Sequence, residues 1–252
     1  MNLNIWTASN LSTDSCEHIK KLIESIKIAS YNKCNITHYF GISHTDSELF
    51  KKINNYLNSE IQSNYNIIIY SSCTKQTQFE NLYNIYLNTV LQPDDIIMFM
   101  DDDDLLLNIP SEIFCNSIIK GQQYIPNHEQ VYITEKYDIH QVKTFVENNH
   151  LNSGIDFSGY TARYIFINDY FQNRNLDSKS REYVEMLEDC EFMTFLDNND
   201  TDKLSLEAFI FRRIKVNGSA WVSDLKNKLK CLCDKLESSR DKLKCLDNAS
   251  EY

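Results

Sequence analysis

Hydrophobic residues occur in short blocks along the first hundred residues. Apolar runs at residues 3–8, 36–42, 66–70 and 96–100 alternate with longer stretches in which apolar positions recur every three or four residues. Short apolar runs are typical of strands buried on both faces, and the wider spacing is typical of amphipathic helices. The repeated alternation of strand and helix indicates an α/β fold with a doubly wound, mostly parallel sheet.

Three helices are predicted between these strands, one beginning near residue 14 and the others covering residues 48–57 and 79–90. Asp46 precedes the second helix and can cap it, because its carboxylate can accept hydrogen bonds from the first free backbone amides. The third helix has an apolar stripe that we expect to face the sheet, made of Phe79, Leu82, Tyr83, Tyr86, Leu87 and Val90.

The second half of the chain has a less regular pattern. The predicted elements, in chain order, are a helix over 111–120, a strand over 130–134, a helical or irregular segment over 138–149, a strand or loop over 155–163, helices over 164–171 and 182–196, and a strand over 206–216. Together with the first half they have the length of one α/β domain, to which we assign residues 1–222.

The composition changes at residue 223, and leucines then recur at the a and d positions of heptads. These leucines are Leu225, Leu229, Leu232, Leu236, Leu243 and Leu246, with Ser239 interrupting the series. We expect residues 223–252 to form an amphipathic helical extension docked on its own domain. A zipper that makes a homodimer is the alternative, and it is disfavoured because about three heptads are near the minimum for one.

Four consecutive aspartates, at positions 101–104, follow the apolar run at 96–100 without an intervening turn residue. Adjacent carboxylates at the end of a buried strand need a cation or strong donors to stay ionised. Such oxygen ligands suit Mg²⁺ or Mn²⁺ shared with the phosphates of a substrate. A solvated acidic loop is the alternative, but such a loop needs no hydrophobic strand leading into it.

Charge and composition argue against several classes of function. The net charge of −11 over 252 residues argues against nonspecific binding to nucleic acid or to anionic membranes. No apolar run approaches the length of a membrane span, and the chain enters its first strand without a secretory signal pattern. The eight cysteines form no CxxC pair, so we expect reduced thiols and a cytoplasmic protein.

The order of strands and helices followed by the acidic run resembles that of GT-A glycosyltransferases, in which a nucleotide-binding half ends in a DXD motif. Residues 101–103 match DXD, and residues 96–105 are similar to its form in family 2-like enzymes. Residues 74–81 resemble the stretch before DXD in short viral and algal members. Residues 157–160 resemble the acceptor-side strand, and residues 187–192 resemble the ED motif of the family.

The resemblance implies a GT-A fold with a mixed, mostly parallel sheet flanked by helices, and it implies a catalytic centre. A divalent cation held by Asp103, with Asp101 assisting, would neutralise the leaving diphosphate, and Asp189 of the ED motif would be the base of an inverting reaction. From the residues alone, Asp189 is equally consistent with a surface acid on a helix. The sequence also departs from the family, because Ser43, His44 and Thr45 replace an acidic pair that usually ends the second strand.

Further residues are candidates for the two substrates. Those expected to contact the nucleotide-sugar donor are Thr7, Ser9, His44, Lys75, Gln78, Asp101, Asp102 and Asp103. Those expected on the acceptor side are Gly159, Tyr160 and Arg163, where a glycine allows close backbone approach and an aromatic ring can support a sugar. Taken singly, each polar residue is equally consistent with ordinary strand-end polarity, and Tyr160 with a place in the core.

We therefore expect metal-dependent transfer of a sugar from a UDP- or GDP-sugar to a hydroxyl of a glycan or protein acceptor. A nucleotidyltransferase of related topology is one alternative, but residues 8–11 lack the glycine and arginine of its phosphate loop. A non-catalytic metal- or protein-binding module that uses the leucine heptads is the other. That module would bind no nucleotide.

Overall fold

A computed structural model describes residues 1–126, 130, 137–155, 157–173, 191–199, 204–205 and 208–211. In this part of the chain the strands are β1 (Asn2–Asn10), β2 (Asn35–Ser43), β3 (Tyr65–Ser72), β4 (Ile96–Phe99), β5 (Leu105–Leu106), β6 (Ile118–Lys120), β7 (Gln122–Ile125), β8 (Asn152–Ile155), β9 (Thr161–Arg163), β10 (Leu204–Ser205) and β11 (Ile210–Phe211). The predicted extension at 223–252 lies outside the described residues and stays a prediction.

The helices are α1 (Thr13–Ser30), α2 (Ser47–Ser59), α3 (Gln78–Asn88), α4 (Ile139–Asn148), α5 (Tyr164–Asn173) and α6 (residues 191–199), with a 3₁₀ helix over Ser111–Phe114. Asp46 caps α2 as predicted, since its Oδ1 accepts from the amides of Glu48 and Leu49 at 2.9 Å each. Among the described residues, no helix combines the length and the apolar character needed to cross a membrane.

The main sheet has seven strands in the order β10-β6-β9-β4-β1-β2-β3. Strands β1 to β4 run parallel, and β9 is inserted antiparallel between β4 and β6. This arrangement confirms the predicted mixed, mostly parallel sheet flanked by helices. A second, four-stranded sheet has the order β5-β11-β7-β8, and its strand β5 directly follows the acidic run in the chain.

The two faces of the main sheet carry separate hydrophobic cores. Side chains of α1 and α2 pack against Leu3 and Ile5 of β1, whereas α3, α5 and α6 pack against Trp6. The alternation follows from the pleat of a strand, which sends successive side chains to opposite faces. Helix packing on both faces explains why the strands of the first half read as continuous apolar runs.

Two predictions about elements are wrong. The helix over 111–120 is replaced by the 3₁₀ helix and strand β6, because Ile118 and Ile119 are buried in the sheet at 3% and 1% exposure. The apolar stripe of α3 also ends earlier than predicted. The helix ends at Asn88, and Leu87 and Val90 are 58% and 92% exposed, whereas Ile85 is fully buried.

Candidate functional site

The acidic run leaves β4 at the point where the order of the sheet reverses. The chain builds β1, β2 and β3 outward on one side and then returns to place β4 on the other side of β1. In open α/β sheets, the crevice at the carboxyl ends of strands beside such a reversal is where ligands bind. The Met100 amide donates to the Trp6 carbonyl at 3.1 Å, so the acids emerge beside the last residues of β1.

Asp101 is the first acid, and it forms hydrogen bonds with two different segments. Gln78 Nε2 at the start of α3 donates to its Oδ1 at 2.7 Å. Its backbone amide donates to Ser158 Oγ at 3.1 Å. Thr77 caps α3 through a hydrogen bond from the Glu80 amide, so the first turn that carries Gln78 is fixed beside the acid.

Asp102 is joined to the neighbouring strand. Its Oδ2 accepts a hydrogen bond from Ser9 Oγ, and Ser9 is buried near the end of β1. The structure therefore brings together four of the residues predicted for the donor site, Ser9, Gln78, Asp101 and Asp102. Asp103 is half-buried at this edge, and Asp104 is almost completely buried, at 1% exposure.

A further residue at this edge, Asn81 of α3, was not anticipated. Its Nδ2 lies 3.4 Å from the Ser9 carbonyl and 3.3 Å from Ser43 Oγ, and its side chain is 1% exposed. Helix α3 can approach this closely because β2 has a glycine there. A Cβ added at Gly41 would lie 2.4 Å from the Asn81 carbonyl oxygen. The sequence signal was an asparagine on the buried side of an apolar stripe.

His44 and Lys75 follow the ends of β2 and β3 at the same edge of the sheet. The His44 ring stacks on Phe50 with centroids 4.2 Å apart, and its amide donates to the Ser72 carbonyl at 2.9 Å. Lys75 is exposed in the segment between β3 and α3, three residues before Gln78. Parallel strands end together, so the prediction that these residues surround the acids is consistent with the topology.

Thr7 is not brought to this edge. It is fully buried within β1 and faces the layer of α1 and α2, with its Oγ1 2.9 Å from His38 Nε2. His38 Nδ1 lies 2.7 Å from the Tyr65 hydroxyl, which completes a buried polar chain across three strands. Burial lowers the pKa of His38 to about 3, so the imidazole in this chain is neutral.

The three acceptor-side candidates lie behind the edge or away from it. Gly159 adopts φ +89° and donates from its amide to the Phe99 carbonyl at 2.6 Å, so it closes a turn against β4. Tyr160 is 1% exposed, and burial together with Asp197 raises its pKa. Arg163 pairs with Ile96 at the start of β4 and bonds the Asp94 carbonyl at 3.0 Å, which places it at the opposite edge.

Asp189, the predicted base, lies outside the described residues. The described chain resumes at Glu191, in α6. Phe192 of α6 is fully buried, and its ring centroid is 5.0 Å from that of Phe99, the last residue of β4. The chain two to three residues beyond Asp189 is therefore packed against the strand that leads into the acids.

The next property of this acidic cluster is its capacity to hold a divalent cation. Among the described residues, no group of three or more His, Cys, Asp or Glu side chains is arranged to hold a metal. Mg²⁺ typically takes one or two protein carboxylates and completes its shell with substrate phosphates and water. The half-buried carboxylates of Asp101 and Asp103 fit that requirement, because a diphosphate would supply the remaining ligands.

No protein-family model and no curated protein matches the sequence. Solved structures match by fold. S. aureus TarS over residues 1–349 has a TM-score of 0.52 at 12% identity, covering 84% of this chain and 60% of that one. A longer TarS structure has a TM-score of 0.50 at 13% identity, covering 85% and 37%. The chain thus spans less than two thirds of either TarS structure.

A third similar structure is the glycosyltransferase GlyE of Streptococcus pneumoniae TIGR4. Its TM-score is 0.46 at 12% identity, and the alignment covers 85% of this chain and 55% of that one. At such identities the likeness to TarS establishes the fold, and the mixed sheet with β4 at its centre matches GT-A neighbours. The predicted GT-A fold is therefore confirmed.

Proposed function

We propose that this chain is a glycosyltransferase that moves a sugar from a nucleotide-diphosphate donor, a UDP- or GDP-sugar, to a hydroxyl of a glycan or protein acceptor. One observation carries the proposal. The acidic run leaves β4 at the reversal of strand order and is hydrogen-bonded there to Ser9 of β1 and Gln78 of α3. Within the GT-A fold, that crevice is the natural position for a diphosphate.

Two carboxylates would hold the metal. Mn²⁺ or Mg²⁺, bound by Asp103 with Asp101 assisting, would supply positive charge to the departing nucleoside diphosphate. Gln78 fixes Asp101 from α3, and Ser9 fixes Asp102 from β1, so the run cannot rotate freely at the edge. A pre-oriented set of ligands stabilises the developing charge without reorganising during the reaction.

The acceptor hydroxyl must lose a proton as its oxygen attacks the anomeric carbon. We assign this proton to Asp189, whose carboxylate would accept it while the carbon inverts. The support is the ED pattern at residues 188–189 together with the packing of Phe192 on Phe99. A base at Asp189 would lie on a different segment from the metal ligands. Attack on the side opposite to the leaving group requires this separation.

The remaining donor residues are assigned by their place at the carboxyl edge. We propose that His44, Lys75 and Asp102 line the donor site together with Ser9 and Gln78. Thr7, Gly159 and Tyr160 lie behind that edge, so any influence they have on substrates passes through the packing of β1 and β4. The likeness to short viral and algal enzymes rests on residues 74–81 alone.

A product assay tests the proposal. The protein is incubated with a panel of UDP- and GDP-sugars and Mn²⁺ or Mg²⁺, and the released phosphate compounds are identified. We expect nucleoside diphosphate to be released from at least one donor, and EDTA to stop the release. Release of pyrophosphate from a sugar phosphate and a nucleoside triphosphate would instead identify a nucleotidyltransferase. If the protein binds none of these nucleotides, the non-catalytic binding module is the remaining alternative.

The control is an acid at the other end of the same strand. Asp94 is exposed and lies just before β4, so Asp94→Asn changes the net charge as Asp103→Asn does but leaves the crevice intact. We expect the Asp94 variant to retain product release and the Asp103 variant to lose it. Equal loss in both variants would point to a general effect of charge.

A further inference from the structure

The four aspartates of the acidic run do not have equivalent surroundings. Asp101, Asp102 and Asp103 are half-buried at the edge, whereas Asp104 is 1% exposed. Asp104 Oδ2 accepts a hydrogen bond from Gln123 Nε2 at 3.2 Å. Gln123 is fully buried in β7 of the second sheet. A carboxylate in such a place is costly unless it is held by donors, so its position calls for a role.

The contacts of Gln123 and Ser158 join the two ends of the acidic run. Gln123 Nε2 also donates to the Ser158 carbonyl at 3.1 Å. Ser158 Oγ in turn accepts from the Asp101 amide at 3.1 Å. The Asp104 amide donates back to the Asp101 carbonyl at 3.4 Å and closes the turn. A side chain from the second sheet and a turn before β9 therefore fix the first and the last aspartate together.

The segments that carry these contacts approach each other closely. A Cβ added to Gly121, two residues before Gln123, would lie 2.4 Å from the Ser158 carbonyl oxygen and 2.5 Å from the Gly159 carbonyl carbon. Both neighbours are backbone atoms, which cannot rotate away as a flexible side chain would. The turn at residues 157–160 is thus held against the start of β7, and Ser158 has little freedom to move away from Asp101.

We propose that Asp104, Gln123 and Ser158 form a buried bridge between the two sheets that sets the backbone conformation of the acidic run. In this arrangement Asp104 is a positioning residue, and the cation is bound by Asp101 and Asp103. The inference rests on the proposed function and adds to it. Residues that orient metal ligands without touching the metal typically change metal affinity about 10- to 100-fold when they are replaced.

The first test removes the donor of the bridge. Gln123→Met keeps the volume but has no amide, and Ser158→Ala removes the acceptor of the Asp101 amide. Binding of Mn²⁺ in the presence of UDP or GDP is followed by electron paramagnetic resonance. We expect both variants to bind Mn²⁺ about tenfold more weakly and to regain much of their turnover at saturating Mn²⁺. Hydrogen exchange of the Asp101 amide should become faster in both.

Asn4 provides the matched control at the other end of the strand. It is buried at 7% exposure, and its Nδ2 donates to the Ile96 carbonyl at 3.1 Å. Asn4→Leu therefore also removes a buried amide that bonds β4. We expect a lower melting temperature in this variant with unchanged Mn²⁺ binding. If Asn4→Leu weakens Mn²⁺ binding as much as Gln123→Met does, the loss reflects a general decrease in stability. That result would overturn the proposal.

A conservative variant separates positioning from ligation. Asp104→Asn keeps an oxygen that Gln123 can donate to but removes the charge, so we expect Mn²⁺ binding within about threefold of the wild type. Asp103→Asn should lose it. If Asp104→Asn weakens Mn²⁺ binding as much as Asp103→Asn does, Asp104 is a ligand and the bridge account is wrong. If the wild-type protein binds neither UDP nor GDP with Mn²⁺, the proposed function fails, and the role of the bridge fails with it. This outcome is distinct from a failure of the bridge alone, in which the wild-type protein still binds.

Discussion

Both ends of strand β4 carry aspartates, yet the two ends are built differently. At the amino end, Asp94 is exposed and contacts Arg163, while Asp95 accepts from the Gln92 amide three residues away. At the carboxyl end, the acids are half-buried or buried and bonded to Ser9, Gln78 and Gln123, from β1, α3 and β7. Convergence of distant elements, and not the acidity of a segment, distinguishes the candidate site.

The largest expected effect comes from removing a metal ligand at the carboxyl end. Asp103→Ala should abolish Mn²⁺-dependent binding of UDP or GDP and lower sugar transfer by about a hundredfold or more, because a metal contributes several kcal/mol of charge stabilisation. The melting temperature should change little, since the side chain is half-buried at the edge and not part of a core. Asp94→Ala is the counterpart at the amino end, and an equal loss there would erase the difference between the two ends.

The next largest effect is expected from Asp189, the base that we assign to the carboxyl end of β4. Asp189→Asn keeps the size of the side chain but removes the proton acceptor, so turnover at saturating donor should fall by roughly 10²- to 10⁴-fold. Nucleotide binding should hardly change, because the diphosphate is held from another element. Glu191→Gln is the control, since in the predicted helix over 182–196 a residue two positions on would point about 200° away. Equal activities of the two variants would remove Asp189 from the mechanism.

A moderate effect is expected from the buried polar chain of Thr7, His38 and Tyr65. The pKa of His38 is about 3 in the folded protein and near 6.5 when unfolded, so below pH 6.5 the unfolded chain binds one more proton. The free energy of unfolding should therefore fall as the pH is lowered, by about 1.4 kcal/mol per unit from this residue. Denaturation at pH 7 and pH 5 should show a difference between wild type and His38→Gln that changes by about 2 kcal/mol.

A pH-independent difference between these two proteins would contradict the neutral, buried His38. It would also reopen the assignment of Thr7, which is placed in the interior by its contact with His38. Donor binding by Thr7→Ser, which keeps the hydroxyl, should equal that of the wild type. A changed donor affinity in that variant would return Thr7 to the site.

The smallest effect is expected at the amino end. Arg163 reaches the Asp94 carboxylate at 3.5 Å, and the Asp94 side chain is 91% exposed. Exposed ion pairs contribute about 0–1 kcal/mol, so Arg163→Gln should shift stability within that range and leave acceptor kinetics unchanged. A raised KM for the acceptor in this variant, measured once an acceptor is known, would show that the amino end takes part in substrate binding.

The sequence predicted the first half of the fold well because its strands are long and separated by helices with clear apolar faces. It failed at 111–120, where the apolar residues belong to a 3₁₀ helix and to strand β6. Strand β5 has only two residues, Leu105 and Leu106, too few to show a period. Such short elements are specified by tertiary contacts.

The same distinction applies to the site. Ser9, Gln78 and the aspartates were found together because parallel strands end at one edge, so position in the chain predicts position in space. Arg163 lies at the other end of β4 because β9 runs antiparallel, a direction that has no local signal in the sequence. Gln123 and Ser158 escaped notice for a related reason, because their contacts with the acidic run span 19 and 57 residues of sequence.

Hydrogen exchange with and without ligand tests the central claim most directly. The protein is exchanged alone, with Mn²⁺, and with Mn²⁺ plus UDP or GDP, and protection is compared between the two ends of β4. Peptides containing Ser9, Gln78 and residues 101–104 should become protected only with metal and nucleotide together, whereas residues 92–95 and 163 should not change. Protection confined to the amino end, or no protection at the carboxyl end with either nucleotide, would contradict the account.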